Sequence, residues 1–169
     1  MTLPALAPAA HALARAVLAA ANDPADQVRI MLSLAEAATD TVFGALLRRA
    51  ALVQLCRASA AYQPTSYEDA RALRLLVCEA LDAEIVRAGD AAEDQIYTAL
   101  RGLRVAVTRD LQARGNPLPR LRQVTVPSLP ASVLAYRLYG DATRAADLIA
   151  RADPPHPLFM PRDEVVLER

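Results

Sequence analysis

The sequence predicts a mainly α protein: an antiparallel helical bundle over residues 1–116, then a small strand–helix–helix–strand (βααβ) module over residues 120–169. Three observations predict it. Alanine and leucine dominate a chain that is 54% hydrophobic but only 4% aromatic, a composition that favours helices over sheets. Ile96, Leu100, Leu103, Val107 and Leu111 recur at the period of a buried helix face. Two runs of strand-forming residues, 122–126 and 164–167, bracket residues 128–149, where two short helical patterns meet at Gly140 and Asp141.

The elements follow in order. Residues 4–21 form an Ala- and Leu-rich helix with a loose stripe of Leu6, His11, Leu13, Val17 and Leu18. Asn22 stops it. Asp23 then caps the next helix, Pro24 takes its first position, and Asp26 sits near its positive end. Val28, Met31, Leu32 and Ala35 give that helix an apolar face. A third helix runs over residues 41–62, with Val42, Phe43, Leu46, Leu47, Val53 and Cys56 on its apolar line and Arg48, Arg49 and Arg57 mostly off it. Ser66 to Asp69 reads as a capping box before a fourth helix carrying Leu73, Leu76, Val77, Leu81 and Ile85. Asp90 and Glu93 repeat that start signal before the fifth helix. Gly115 is available there for a left-handed cap, and Pro117 and Pro119 stiffen the passage into the module. Short connections between these helices favour antiparallel neighbours.

In the module, Ser128 is placed to cap a helix with Pro130 in its first turn. Val133, Leu134, Tyr136, Leu138 and Tyr139 give that helix its apolar side. Gly140 occupies the position of a left-handed C′ residue. Asp141 caps a second helix, with Ala145, Leu148 and Ile149 on one face.

Nineteen basic residues balance nineteen acidic ones, so no global field recruits nucleic acid or an anionic membrane. Every basic residue is Arg, which a GC-rich coding bias explains most simply. Cys56 and Cys78 lie inside helical patterns away from other metal ligands and read as buried thiols, with a disulfide left open. The opening residues lack a signal-peptide layout, and no uncharged apolar run is long enough to span a bilayer.

The chemistry-bearing residues point away from catalysis. Asp90, Glu93 and Asp94 cluster where a helix start needs carboxylates, and Glu79, Asp82 and Glu84 fall on the polar side of a helix. No calcium loop, phosphate loop, zinc-ligand spacing or nucleophile elbow is present. Catalytic, metal and cofactor-binding residues are therefore all expected to be none. His11 reads as structural, and His156, among three prolines, as a group that holds its loop to the module. Arg101, Arg104, Arg109 and Arg114, followed by Arg120 and Arg122, form the best basic stripe for DNA phosphates or a protein partner. Glu93, Asp94 and Asp110 on the same helix weigh against DNA.

The string from Leu129 to Ile149, with residues 156–161 and 164–168, resembles the C-terminal end of the Mu-like phage DNA circularisation protein family. The resemblance rests on Tyr136, Leu138, Tyr139, Gly140, Asp141, Arg144, His156, Pro157, Phe159 and Pro161. Members of that family are tail or baseplate proteins of contractile phages and prophages. The module also resembles a LysM-like fold, which recurs in tail hub proteins. The resemblance implies a structural component of the virion tail, at the baseplate or hub, made in the host cytoplasm. Its partners would be other tail proteins and further copies of itself. It also implies a chain matching only the C-terminal third of full-length relatives. The family's name implies a second reading, a DNA-binding protein that protects or circularises injected DNA. The pattern departs at Ala152 and Asp153, where the family tends to carry Arg-Asn, and at Arg162, where it tends to carry Gly. LysM glycan sites often use an Asn near there, which argues against sugar binding.

Overall fold

A computed structural model describes residues 3–168, with side chains from residue 5 onward. Five helices come first: α1 (Leu3–Ala19), α2 (Pro24–Ala37), α3 (Val42–Ala61), α4 (Tyr67–Asp90) and α5 (Asp94–Gly115). They are followed by β1 (Leu121–Thr125), α6 (Ala131–Tyr139), a 3-10 turn (Ala142–Arg144), α7 (Ala145–Ala152) and β2 (Asp163–Leu167). The chain is thus mainly α, a five-helix bundle and then a βααβ module. It divides into two compact units. The helical unit is Met1–Pro64 with Asp69–Asn116, and the module is Thr65–Glu68 with Pro117–Arg169.

Local signals set the helix starts. Asp23 Oδ1 accepts the Ala25 N–H at 3.1 Å, and Pro24 takes the first helical position of α2, where a missing N–H costs nothing. Thr41 Oγ1 accepts the Gly44 N–H at 3.0 Å to cap α3. Gly44 is there for space. A Cβ on it would lie 2.1 Å from the Thr39 carbonyl oxygen, so the turn before α3 can fold back only over a glycine.

Helix α3 is the axis of the helical unit. It packs on α1, α2 and α5, so its buried residues run around the helix instead of along one line. Ala50, Ala51, Leu52, Leu55, Cys56 and Ala58 are buried, whereas Val42, expected on the apolar line, is exposed. Helix α1 meets α3 through Ala10 and Ala14 against Ala50, and His11 and Leu13 face outward. Alanine contacts let helix axes approach closely, which a leucine stripe would prevent. Val28 and Met31 of α2, Leu73, Val77 and Leu81 of α4, and Leu100, Val107 and Leu111 of α5 complete the core. Gly115 does not form the expected left-handed cap. It is the last residue of α5, and a Cβ on it would lie 2.6 Å from that of Ala70, so it permits close contact between α5 and α4.

In the module β1 and β2 pair antiparallel, with Arg122 opposite Val166 and Val124 opposite Glu164. Ala131, Leu134, Ala135, Leu148, Met160 and Val166 form its core. Gly140 ends α6 at φ 73°, the left-handed conformation expected there, and Asp141 Oδ1 accepts the Thr143 N–H at 2.9 Å to start the next turn. Ser128 makes no cap; Pro130 holds the N-cap position, with no side-chain bond. Asp153 ends α7 at φ 42°, in a region that Asn and Asp tolerate better than other side chains. Tyr136, expected in the core, is 65% exposed.

A carboxylate is buried in this small module. Glu164 is 1% exposed, its Oε1 lacks a partner among the described residues, and burial pushes its carboxyl above the ordinary range.

Two predictions follow from packing and one from burial. Gly44→Ala should lower stability by about 3 kcal/mol, the cost of forcing an atom into backbone. Gly102→Ala, at an exposed helix position where a Cβ meets nothing within 4 Å, should raise it by about 1 kcal/mol. Denaturant titration measures both. The folded Glu164 carboxyl holds its proton more tightly than the unfolded one. Its contribution is therefore present below the unfolded pKa and is lost as pH rises through the higher folded value. Glu164→Gln should gain stability over the native chain as pH rises from about 4 to about 7 in the same titration.

Candidate functional site

Helices α2, α3 and α4 leave a groove of about 620 Å³ between them. Leu32, Ala35, Leu52, Leu76 and Ala80 supply its apolar lining, and Glu36, Asp40, Arg48, Glu79 and Arg87 its charge. Its shape rests on an ion network around Glu84, which is only 1% exposed. Arg49 Nε donates to Glu84 at 2.8 Å, while Arg87 and Arg48 approach it at 3.4 and 3.5 Å. Arg49 also pairs with Glu93. Arg48 turns its other nitrogen to the Ala38 and Thr39 carbonyls, at 2.9 and 3.3 Å, and to Asp40 at 3.0 Å. Burial alone would lower the Arg49 pKa, yet hydrogen bonds to Glu93 and Glu84 hold the guanidinium above its ordinary value.

This network corrects two expectations. Glu84 is not on a solvated face. Leu73, Val77, Leu81, Glu84 and Ala88 are all buried along one side of α4, so the carboxylate continues the apolar line. Arg48 and Arg49, off the apolar line of α3, reach it because α3 has neighbours on several sides. Asp90 ends α4, and Glu93 makes no side-chain cap on α5; its carboxylate goes to Arg49. The spacing of Glu84 with Val77 and Leu81 was the signal that marked it.

The arginines of α5 do not form one stripe. At about 100° per residue, Arg104, Arg109 and Arg114 lie roughly 60°, 80° and 140° from Arg101, and not all in one direction. Arg104 is held by Asp82 at 2.5 and 2.9 Å. Arg114 binds Asp110 and the carbonyls of Tyr62 and Ser59. Arg101 stacks over Tyr97 at 5.6 Å and remains exposed, as does Arg109. Arg120 and Arg122 belong to the module, where Arg120 lies 4.2 Å over the Tyr67 ring.

The module's signature residues divide into supports and surface. Tyr139 Oη accepts the Leu167 N–H at 3.1 Å, tying α6 to β2, and its ring carries Arg144 at 3.9 Å. Hydrogen bonds from Thr143 hold the Asp141 carboxyl below its ordinary range. His156 is exposed, and its Nδ1 accepts the Leu158 N–H within its own turn. The loop is fastened instead by backbone. The Ala131 N–H donates to the Pro157 carbonyl at 2.8 Å and Met160 N–H to Leu129 at 3.2 Å, with Met160 fully buried. Phe159 is left 71% exposed. Cys56 and Cys78 are free and buried, and burial pushes the Cys56 thiol up to about 12. Among the described residues no helix is long and apolar enough to cross a membrane, and no cluster of ligating side chains could hold a metal ion.

The chain is 37% identical over 84 residues to the Mu-like prophage FluMu DNA circularization protein of Haemophilus influenzae. That stretch is 49% of this chain and 18% of the relative, so the relation is distant and partial. No family model matches the chain.

Removing Glu84 should strand Arg48 and part of Arg49 in the interior. Glu84→Ala is expected to cost about 3–5 kcal/mol in denaturant titration, the range for breaking a buried pair. Asp82→Ala, which breaks a half-exposed pair, should cost about 1 kcal/mol or less.

Proposed function

We propose that this protein is a structural component of a Mu-like contractile phage or prophage tail, placed at the baseplate or hub. It presents rigid surfaces to neighbouring tail proteins and carries out no catalysis. The observation that carries the reading is the 84-residue match to a Mu-like prophage protein. The site chemistry agrees with it. The buried charges around Glu84 are engaged with one another and with backbone carbonyls, an arrangement that fixes helices in place. The module resembles the LysM-like folds of tail hubs in its strand–helix–helix–strand order and its antiparallel strand pair.

The relative's name favours one alternative, in which the chain binds duplex DNA. Arg101, Arg109, Arg120 and Arg122 are its exposed candidates. Such contact would weaken steeply with salt.

Three measurements separate these readings. Immunogold labelling of particles from an induced lysogen should place the protein at one end of the tail, and deleting its gene should leave tails unassembled. Duplex DNA at low salt should show no mobility shift with the purified chain. Intact tails without the protein, together with a salt-sensitive shift weakened by Arg101→Ala and Arg109→Ala, would establish the DNA reading in its place.

A further inference from the structure

We propose that the helical unit binds a second copy of itself, with the outward face of α5 from one copy seated in the α2–α3–α4 groove of the next. The first indication is Gly102. It lies in the middle of α5, where glycine weakens a helix, and a Cβ added to it would meet nothing within 4 Å. Among the described residues no contact accounts for it. Thr98, Gly102 and Ala106 fall at steps of four, so the middle of the outward ridge of α5 is narrow and smooth, with Asp94 and Asp110 at its two ends. Arg101, Val105 and Arg109 run beside it at the same step, with both arginines exposed and Val105 53% exposed.

The groove is the complement of that face. Ala35, Ala38, Ala80 and Ala83 line it, so a helix with a small-residue ridge can approach closely. Three exposed carboxylates, Glu36, Asp40 and Glu79, outnumber one exposed arginine, Arg87, along it. With Glu84 and Glu93 in the network beside it, five carboxylates stand against Arg48, Arg49 and Arg87. The groove therefore carries net negative charge, and the middle of the α5 face offers two exposed arginines. The two surfaces are different parts of the unit, so the contact is head-to-tail. Repetition closes a ring or extends a filament.

This inference stands on charge and shape and does not depend on the tail role. Sedimentation velocity of the purified chain tests it. Association should appear with rising concentration at low salt and weaken at high salt. Gly102→Leu should leave helicity unchanged and return the chain to monomer. Charge reversal on either surface, Arg101→Glu with Arg109→Glu or Glu36→Arg with Glu79→Arg, should do the same. An equimolar mixture of the two reversed variants should associate again, because each supplies the surface that matches the other. A chain that stays monomeric at every concentration at low salt, association that survives both reversals, or a mixture that stays dissociated overturns the proposal. If gold labels the tail while the chain is monomeric, only this inference falls.

Discussion

A single buried carboxylate sets the geometry of the helical unit. Glu84 stands inside the bundle with Arg48 and Arg49 of α3 on one side and Arg87 of its own helix on the other. Through Arg49 it reaches Glu93 at the start of α5, and through Arg48 it reaches the turn before α3. Four parts of the chain are thereby fixed to one point. A buried ion pair adds little net stability over an apolar packing of equal volume, because desolvation offsets the attraction. It does impose direction. The guanidinium of Arg48 has its donors committed to particular carbonyls, and a helix that slid by one turn would leave those groups unsatisfied in the interior.

That constraint matters because so much of the core is alanine. Ala10 and Ala14 against Ala50 form a smooth contact, with few protrusions to lock one register over another. Large side chains specify a packing by shape, whereas small ones permit close approach and leave sliding nearly free. Gly44 and Gly115 tighten the fold at two further points, where a single Cβ would collide with the Thr39 backbone or with Ala70. Close approach comes from these small residues, and position along the helix axes comes from the ion network. The module works differently. Its internal packing is held by the β1–β2 ladder, by the Tyr139 hydroxyl on the Leu167 N–H, and by Met160 seated in a core of a few aliphatic residues.

Helix number, order and most boundaries were legible in the sequence, because they depend on local chemistry. Asp23 with Pro24 and the Gly140–Asp141 pair each act within a few residues of themselves, and each does what its residue type implies. The strand pair was legible too, since β-branched runs at both ends of a short segment have few other partners. What failed depended on tertiary neighbours. Glu84 looked solvated because helix periodicity marks a face without naming what covers it. Tyr136 and Tyr139 looked equivalent, yet it is Tyr139 that meets β2, and the strand's position decides which tyrosine is half-buried and which exposed. The α5 arginines looked like a stripe in the linear sequence, although their spacings scatter them around the helix. Gly115 read as a cap because helices often end on glycine, when the reason for it lies in α4. The departure at Asp153 also becomes understandable. That position needs a left-handed backbone, which Asp supplies as the Asn of the resembling family would.

The same physics that demands charge within the unit governs what the unit can bind. A surface of alanine and glycine has no anchoring side chain, so contact with another smooth helix gains area without gaining orientation. Within the chain, Arg48, Arg49 and Glu84 supply the missing orientation. On its outside, exposed Arg101 and Arg109 on α5 and exposed Glu36 and Glu79 at the groove are the groups able to do so for a partner. Charge on a rim contributes more to encounter rate and register than to affinity. Two smooth helix faces with charges at their edges would therefore take their register from those charges and their area of contact from the small residues between them.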